Sequence, residues 1–139
     1  EFDEICERAA AYRDRMNTYF VLESLDTLKK NGRLTGLQAF FATKLNIKPV
    51  MGADNGTIIK LDQARGIQKA LQRMAEIAVK EAGTTKDKRL VIAHCNAPER
   101  AQFMKEKLCS MAEFKEVVIT DTCGVSTVYA NDGGVILAL

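Results

Sequence analysis

Apolar positions along the chain alternate between helical and strand spacing, and the switches mark out its elements. From Phe2 to Met16, Phe2, Ile5, Cys6, Ala9 and Tyr12 recur at helical spacing with charge on the other face, which predicts a helix. Asp3 and Glu4 lie where negative charge favours a helix start. Thr18 to Leu22 is short, β-branched and aromatic, the composition of a strand. Ser24 is a candidate N-cap for a short helix over Leu25 to Lys30, ended by Asn31 and Gly32. Thr35 can cap a further helix over Gly36 to Leu45, with Leu37, Phe40, Phe41 and Leu45 on one face. Ile47 to Met51 reads as a strand whose Pro49 argues for an edge or a strand start. Asp54-Asn55-Gly56 is a hairpin signal, and Thr57 to Leu61 is the return strand.

A long helix is predicted from about Gln63 to Ala82, with Ile67, Leu71, Met74, Ile77 and Ala78 as its buried stripe and Gly83 as its stop. Leu90 to Ala93 is a fully apolar strand. Pro98 opens a helix over Glu99 to Met111 with Phe103, Met104, Leu108 and Met111 inward. Lys115 to Thr120 and Val135 to Leu139 complete the strands, and Ser126 to Ala130 between them receives no element. Strands and helices alternate around one hairpin, which predicts an α/β fold leaning towards α+β: a mixed sheet of about six strands covered by helices. Leu139 falls inside the last strand, so a few further residues are expected after it in the parent protein.

At 139 residues the chain fits one domain, spanning 1–139, with enough length to bury a core. The near-cancellation of 20 basic and 18 acidic residues argues against a broad nucleic-acid or membrane-surface face. No apolar stretch reaches membrane-spanning length, and the charged N-terminal residues do not resemble a signal peptide. Cys6, Cys95, Cys109 and Cys123 are far apart, so free thiols in a reducing cytoplasm are a better reading than a zinc site or a disulfide framework.

Few residues carry candidate chemistry, and each also has a plainer reading. Arg33, after a glycine at a helix end, can form a fork-like pair with a carboxylate or phosphate, or it can pair with a local acid. Arg65, before Gly66 at the opening of the long helix, can serve an anion there, or it can pair with Asp62. Lys44, Lys48 and Lys60 add positive charge around the hairpin, or simply form a solvated face. Leu37, Phe40, Phe41, Leu45, Ile47, Val50, Met51, Ile58 and Leu61 can line a tube for an alkyl chain, or be ordinary core. Tyr129 or Asn131 can donate a hydrogen bond to a head group, against a simple tight turn over Asn131-Asp132-Gly133-Gly134. His94 and Cys95 are strand neighbours that point to opposite faces, so they make no catalytic dyad. There is no phosphate-binding glycine loop, no nucleophile elbow and no paired acidic cluster.

The pieces LKKNGRLTG, LNIKPVM and ARGIQKAL, in this order and spacing, resemble the C-terminal half of the DegV family of fatty-acid-binding proteins, over about Thr18 to Leu139. Asn31 stands where that family's Gly-Gly-Arg turn has its first glycine. The stretch from Tyr129 to Gly134 departs from the family pattern Thr-His-x-Gly-Pro-Gly, because Ala130 or Asn131 stands where the histidine would be. That histidine's role therefore does not transfer.

The resemblance implies a two-domain parent of which this chain is the second domain, with residues 1–17 as the interdomain connecting helix. It implies a long-chain fatty acid as ligand, its tail in an apolar cavity largely within this domain and its carboxylate near the missing N-terminal domain. Arg33, Arg65, Tyr129 and Asn131 then fall in the head-group or phosphotransfer region, and the nine apolar residues above line the chain. A separate fatty acid kinase would be the partner to which the carboxylate is presented. No catalytic residue, metal or cofactor of its own is expected. Burial of an alkyl chain contributes about 0.8 kcal/mol per CH₂, so the tail can supply most of the affinity. Two other classes remain open. A small-molecule domain of the dihydroxyacetone-kinase type would need His94 to bond its substrate covalently, and a domain kept for protein interaction would have a packed interior without a cavity.

Overall fold

A computed structural model of the chain describes residues 1–34 and 46–139. Its elements are α1 (Phe2–Arg13), β1 (Thr18–Val21), α2 (Asp26–Lys30), β2 (Ile47–Asp54), β3 (Thr57–Arg65), α3 (Ile67–Ala82), β4 (Arg89–His94), α4 (Pro98–Met111), β5 (Glu116–Asp121), α5 (Val125–Ala130) and β6 (Val135–Ala138). The helix expected over Gly36 to Leu45 lies outside the described residues, and with it Leu37, Phe40, Phe41, Lys44 and Leu45.

The strands form one mixed sheet ordered β3-β2-β1-β6-β4-β5, antiparallel throughout except for the parallel pair β4–β5. Asn55 and Gly56 both take positive φ, at 47° and 81°, and close a two-residue turn that pairs Asp54 with Thr57. That twist matches the twist of the flanking strands, which is why the Asn-Gly signal reads so directly. Pro49 sits in an interior strand after all. It lies in the half of β2 that pairs with β3, while the pairing of β2 with β1 falls at Met51 and Gly52.

One face of the sheet carries α3 and α4. Ala70, Leu71, Met74, Ala75 and Ala78 of α3 and Ala101, Met104 and Leu108 of α4 pack on Tyr19, Val21, Val50, Leu90, Ile92, Val135 and Leu137. Full burial of each Val, Leu, Ile or Met contributes roughly 1.5–3 kcal/mol, so this face holds most of the fold's stability. The other face holds a smaller cluster of Leu22, Leu28, Leu34, Met51, Cys95 and Ala130, with Phe20, Leu25, Ile58, Tyr129 and Ile136 packed against it. Along this second face, register places Phe20 beside Ile136 and Ile136 beside Ala93, with Thr18, Ala138, Val91 and Val118 in the adjoining row. All seven are half-buried.

Several expectations need correction. The long helix starts at Ile67, not Gln63, because β3 keeps pairing with β2 as far as Arg65, opposite Ile47, and Gly66 at φ 83° breaks the strand. The first helix ends at Arg13 and buries none of its stripe; Phe2 is 77% exposed and Ile5 64%. Met111 is exposed at the end of α4 rather than inward. Ser24 is not the N-cap of α2, a position Leu25 holds, although its Oγ accepts the Asp26 N–H at 3.1 Å. Val125–Ala130 is a helix that the sequence reading left unassigned.

Candidate functional site

Helix α2 ends in a turn that presents Arg33. Gly32 takes φ 67°, its N–H bonds to the Lys29 carbonyl at 3.1 Å, and the Arg33 N–H reaches back to the Leu28 carbonyl at 2.9 Å. This pair of bonds is a Schellman stop, which needs one left-handed residue. Gly32 supplies it. Asn31 stays at φ −91°, so the residue in place of the family's first glycine is not asked to be left-handed.

Arg33 thereby stands at the mouth of an open cleft of about 420 Å³, lined by Leu28, Gly32, Arg33, Gly56, Thr57, Ile58 and Tyr129. Three elements make its walls: the α2 turn, the tip of the β2–β3 hairpin, and the end of α5. Arg33 is exposed and, among the described residues, has no ion-pair partner. The half-buried Tyr129 hydroxyl likewise has no hydrogen-bond partner among the described residues. Ile58 and Tyr129 of its lining pack against the second-face cluster that includes Leu22, Leu34 and Met51, so the cleft sets a cation and a hydroxyl beside apolar side chains.

Sequence candidates are sorted by this geometry. Arg33, Ile58 and Tyr129 come together at the cleft, with Met51 in the cluster that Ile58 and Tyr129 pack against. Val50 and Leu61 do not, since both belong to the core under α3 on the opposite face of the sheet. Ile47 starts β2, opposite Arg65 and away from the hairpin tip. Arg65 ends β3 instead of opening a helix, and seven residues of extended chain put it roughly 23 Å from Ile58. Its suggested partner Asp62 pairs instead with Arg73 at 2.7 Å. The backbone N–H of Gln63 and Arg73 together hold the Asp62 carboxyl below the usual aspartate range.

Asn131 is engaged in hydrogen bonds within the protein. It takes φ 56°, its Oδ1 accepts the Thr27 hydroxyl at 3.2 Å, and its Nδ2 donates to the carbonyls of Ser24 and Tyr129 at 3.4 and 3.3 Å. It ties α5 to the start of α2. Lys48 is not part of a solvated face. It donates to the Glu23 carboxylate at 2.6 Å and to the Glu23 carbonyl at 2.8 Å. Arg100 of α4 reaches the other Glu23 oxygen at 2.6 Å and the Gly133 carbonyl at 2.6 Å. Burial alone would raise the Glu23 carboxyl, but hydrogen bonds from Lys48 and Arg100 outweigh it and hold the group below its ordinary value. Neither Glu23 nor Arg100 was singled out from the sequence, where a pair 77 residues apart leaves no spacing signal.

His94 is buried, and its Nδ1 accepts the Ala97 N–H at 3.3 Å, which stitches the start of α4 to the end of β4. The Asp121 carboxylate lies 3.4 Å from the same nitrogen. No group of three or more metal-ligating side chains forms among the described residues. None of their helices is long and apolar enough to cross a membrane.

Comparison with known proteins sets this geometry in a family. Residues 1–138 match the family described as "Uncharacterised protein, DegV family". A DegV domain-containing protein of Streptococcus pyogenes is 34% identical over 137 residues, 98% of this chain and 48% of that protein. A DegV family structure from Ruminococcus gnavus, described with vaccenic acid, is 48% identical with a TM-score of 0.94, covering 100% of this chain and 50% of the other. The fatty acid kinase (Fak) B3 protein of Streptococcus pneumoniae, loaded with linoleic acid, is 32% identical with a TM-score of 0.84, over 99% of this chain and 49% of that one. A Eubacterium eligens DegV family protein loaded with heptadecanoic acid is 27% identical with a TM-score of 0.86. The chain thus spans about half the length of the relatives it matches. By sequence over nearly its whole length, and by fold, the chain belongs to the DegV family.

Proposed function

We propose that this chain is the second domain, and the tail-holding part, of a long-chain fatty-acid-binding protein. The observation that carries the reading is the meeting of the Arg33 guanidinium and the Tyr129 hydroxyl, neither with a partner among the described residues, with the apolar second face of the sheet at Met51 and Ile58. A guanidinium and a hydroxyl suit a carboxylate, and an apolar trough suits what is attached to it. The rows through Phe20, Ile136 and Ala93, and through Ala138 and Val91, extend that trough across the sheet. The fatty acids held by the Ruminococcus, Eubacterium and pneumococcal relatives support the same ligand class.

In this reading the chain does no chemistry alone. It offers the carboxylate at the cleft, a fatty acid kinase is the partner that acts on it, and the first-half domain completes the head-group site. Residues 1–17 then form the connection between halves. Cytoplasmic residence follows from that partnership and from the free thiols. The dihydroxyacetone-kinase alternative loses ground because its one histidine, His94, is 6% exposed and already accepts a backbone hydrogen bond.

Native mass spectrometry of the protein purified from cells tests the proposal. A bound mass matching a long-chain fatty acid, released by organic solvent, is expected from the two-domain form. Titration with a fluorescent fatty acid should then show weaker binding by the 139-residue chain alone. Loss of two hydrogen bonds to a charged group weakens binding by roughly a hundredfold or more. Absence of any lipid from the two-domain form would overturn the reading.

A further inference from the structure

The three walls of the Arg33–Tyr129 cleft converge, behind it, on one carboxylate. Lys48 brings β2, and so the hairpin, to Glu23. Glu23 itself stands between β1 and α2, so it fixes where the Leu28–Arg33 wall begins. Arg100 joins Glu23 to the Gly133 carbonyl and thus to the turn that follows Tyr129. That turn is stiff: Gly133 N–H bonds to the Cys95 carbonyl at 2.8 Å, and Gly134 N–H returns to the Asn131 carbonyl at 3.2 Å. The fit around Gly133 is close. A Cβ there would lie 2.5 Å from Arg100 Nη1 and 3.0 Å from Glu23 Cγ, and its φ of 86° suits glycine alone. Neither Glu23 nor Arg100 lines the cleft.

We propose that Glu23 and Arg100 are positioning residues that set the spacing of Arg33 and Tyr129 across the cleft, and through it the discrimination of a carboxylate head from a neutral one. The proposal rests on the fatty-acid reading above. Both charges of the tether are about one-third exposed, at 34% and 29%, so its value lies in geometry more than in stability. Arg100 makes two short contacts at a fixed angle, which a lysine cannot reproduce. Removing it frees the Gly133 carbonyl to move and leaves Lys48 as the only cation on Glu23 among the described residues.

Two readouts test this, the first on the 139-residue chain and the second on the two-domain protein. The three tyrosines, Tyr12, Tyr19 and Tyr129, can be labelled as 3-fluorotyrosine and assigned by single Tyr→Phe changes. In Arg100→Gln and Glu23→Gln the Tyr129 fluorine resonance should shift or broaden while that of Tyr19, in the opposite core, stays in place. In the same variants the preference for oleic acid over oleyl alcohol, measured by displacement of a fluorescent fatty acid, should fall roughly tenfold, with Arg100→Lys recovering part of it. General loosening would weaken acid and alcohol alike and leave the ratio unchanged. A folded variant with the wild-type ratio and an unmoved Tyr129 signal overturns the positioning role alone. Should Arg100→Gln fail to fold, Glu23→Gln decides by the same two readouts. A two-domain wild type that does not prefer the acid overturns the head-group reading and the positioning role with it.

Discussion

Val50 and Met51 are neighbours in β2, both fully buried, and they pack in different cores on opposite faces of the sheet. Only Met51 lies on the face that carries the cleft. Val50→Ala and Met51→Ala should therefore separate stability from binding. Each removes buried methyl or methylene groups and should lower the unfolding free energy, by about 1–2 kcal/mol for Val50 and about 2–4 for Met51. Fatty-acid affinity should fall for Met51→Ala and hold for Val50→Ala. Urea unfolding and a fluorescent fatty-acid titration on the same samples check both halves of the expectation.

Arg33→Ala should lower carboxylate affinity only about tenfold, so that lipid still co-purifies, but impair phosphorylation by a kinase partner more strongly. The tail supplies most of the affinity, while a guanidinium at the head acts on charge that develops during transfer. The measurement is bound lipid after purification set beside kinase turnover on the two-domain protein. Equal turnover removes Arg33 from the transfer step, and complete loss of the lipid would mean that the head group, not the tail, dominates binding.

The lowered Glu23 carboxyl predicts an acid limb in stability. A group whose folded value lies below its unfolded one stabilises the fold above the unfolded value, ordinarily 4.5, and loses that contribution as pH falls through the folded value. Denaturation midpoints should therefore drop as pH goes below 4.5, and Glu23→Gln should flatten that limb. Asp62 contributes in the same direction, so an Asp62→Asn background isolates the Glu23 part. An unchanged limb in the double variant would detach Glu23 from acid stability.

Tyr19 gives the opposite limb. Its hydroxyl donates to Glu81 at 2.7 Å, and burial, this bond and the neighbouring charge all push its ionisation above the ordinary 10.0. A folded state that holds this proton more tightly is stabilised fully below pH 10.0 and loses that contribution as pH rises beyond it. Tyr19→Phe should cost about 1 kcal/mol at neutral pH and unfold less steeply in alkali. Melts at pH 7 and above pH 10 compare the two.

Much of the architecture was legible because its signals are local. The Asn55-Gly56 turn and the α3 stripe follow from conformational freedom and helical spacing, and both appear where they were read. Boundaries were harder. Leu61 and Ala64 satisfy a strand face and a helix face at once, so only the pairing of Arg65 with Ile47 separates β3 from α3. Val125–Ala130 is rich in β-branched residues, and its helix depends on tertiary context.

The candidate site was half legible. Arg33 stands on a helix-end turn and Tyr129 just before an Asn-Asp-Gly-Gly turn, both of which the sequence shows, whereas the face of Val50 against Met51 cannot be read from an apolar run buried on both sides. The Glu23–Arg100 tether joins residues that only the finished sheet brings together.

β6 lies between β1 and β4, so Thr18 and Val91 both find their partner in Ala138. Closure of the sheet must therefore wait until Val135–Ala138 has been synthesised. Before β6 is available the chain holds a three-stranded piece, β3-β2-β1, and a separate parallel pair, β4–β5, each with an unsatisfied edge. The centre of the sheet closes through contacts of very long sequence separation, which makes folding slow and lengthens exposure of those edges. A nascent chain interrupted before Val135 thus carries two open edges in place of one sheet, and becomes a substrate for proteases and chaperones.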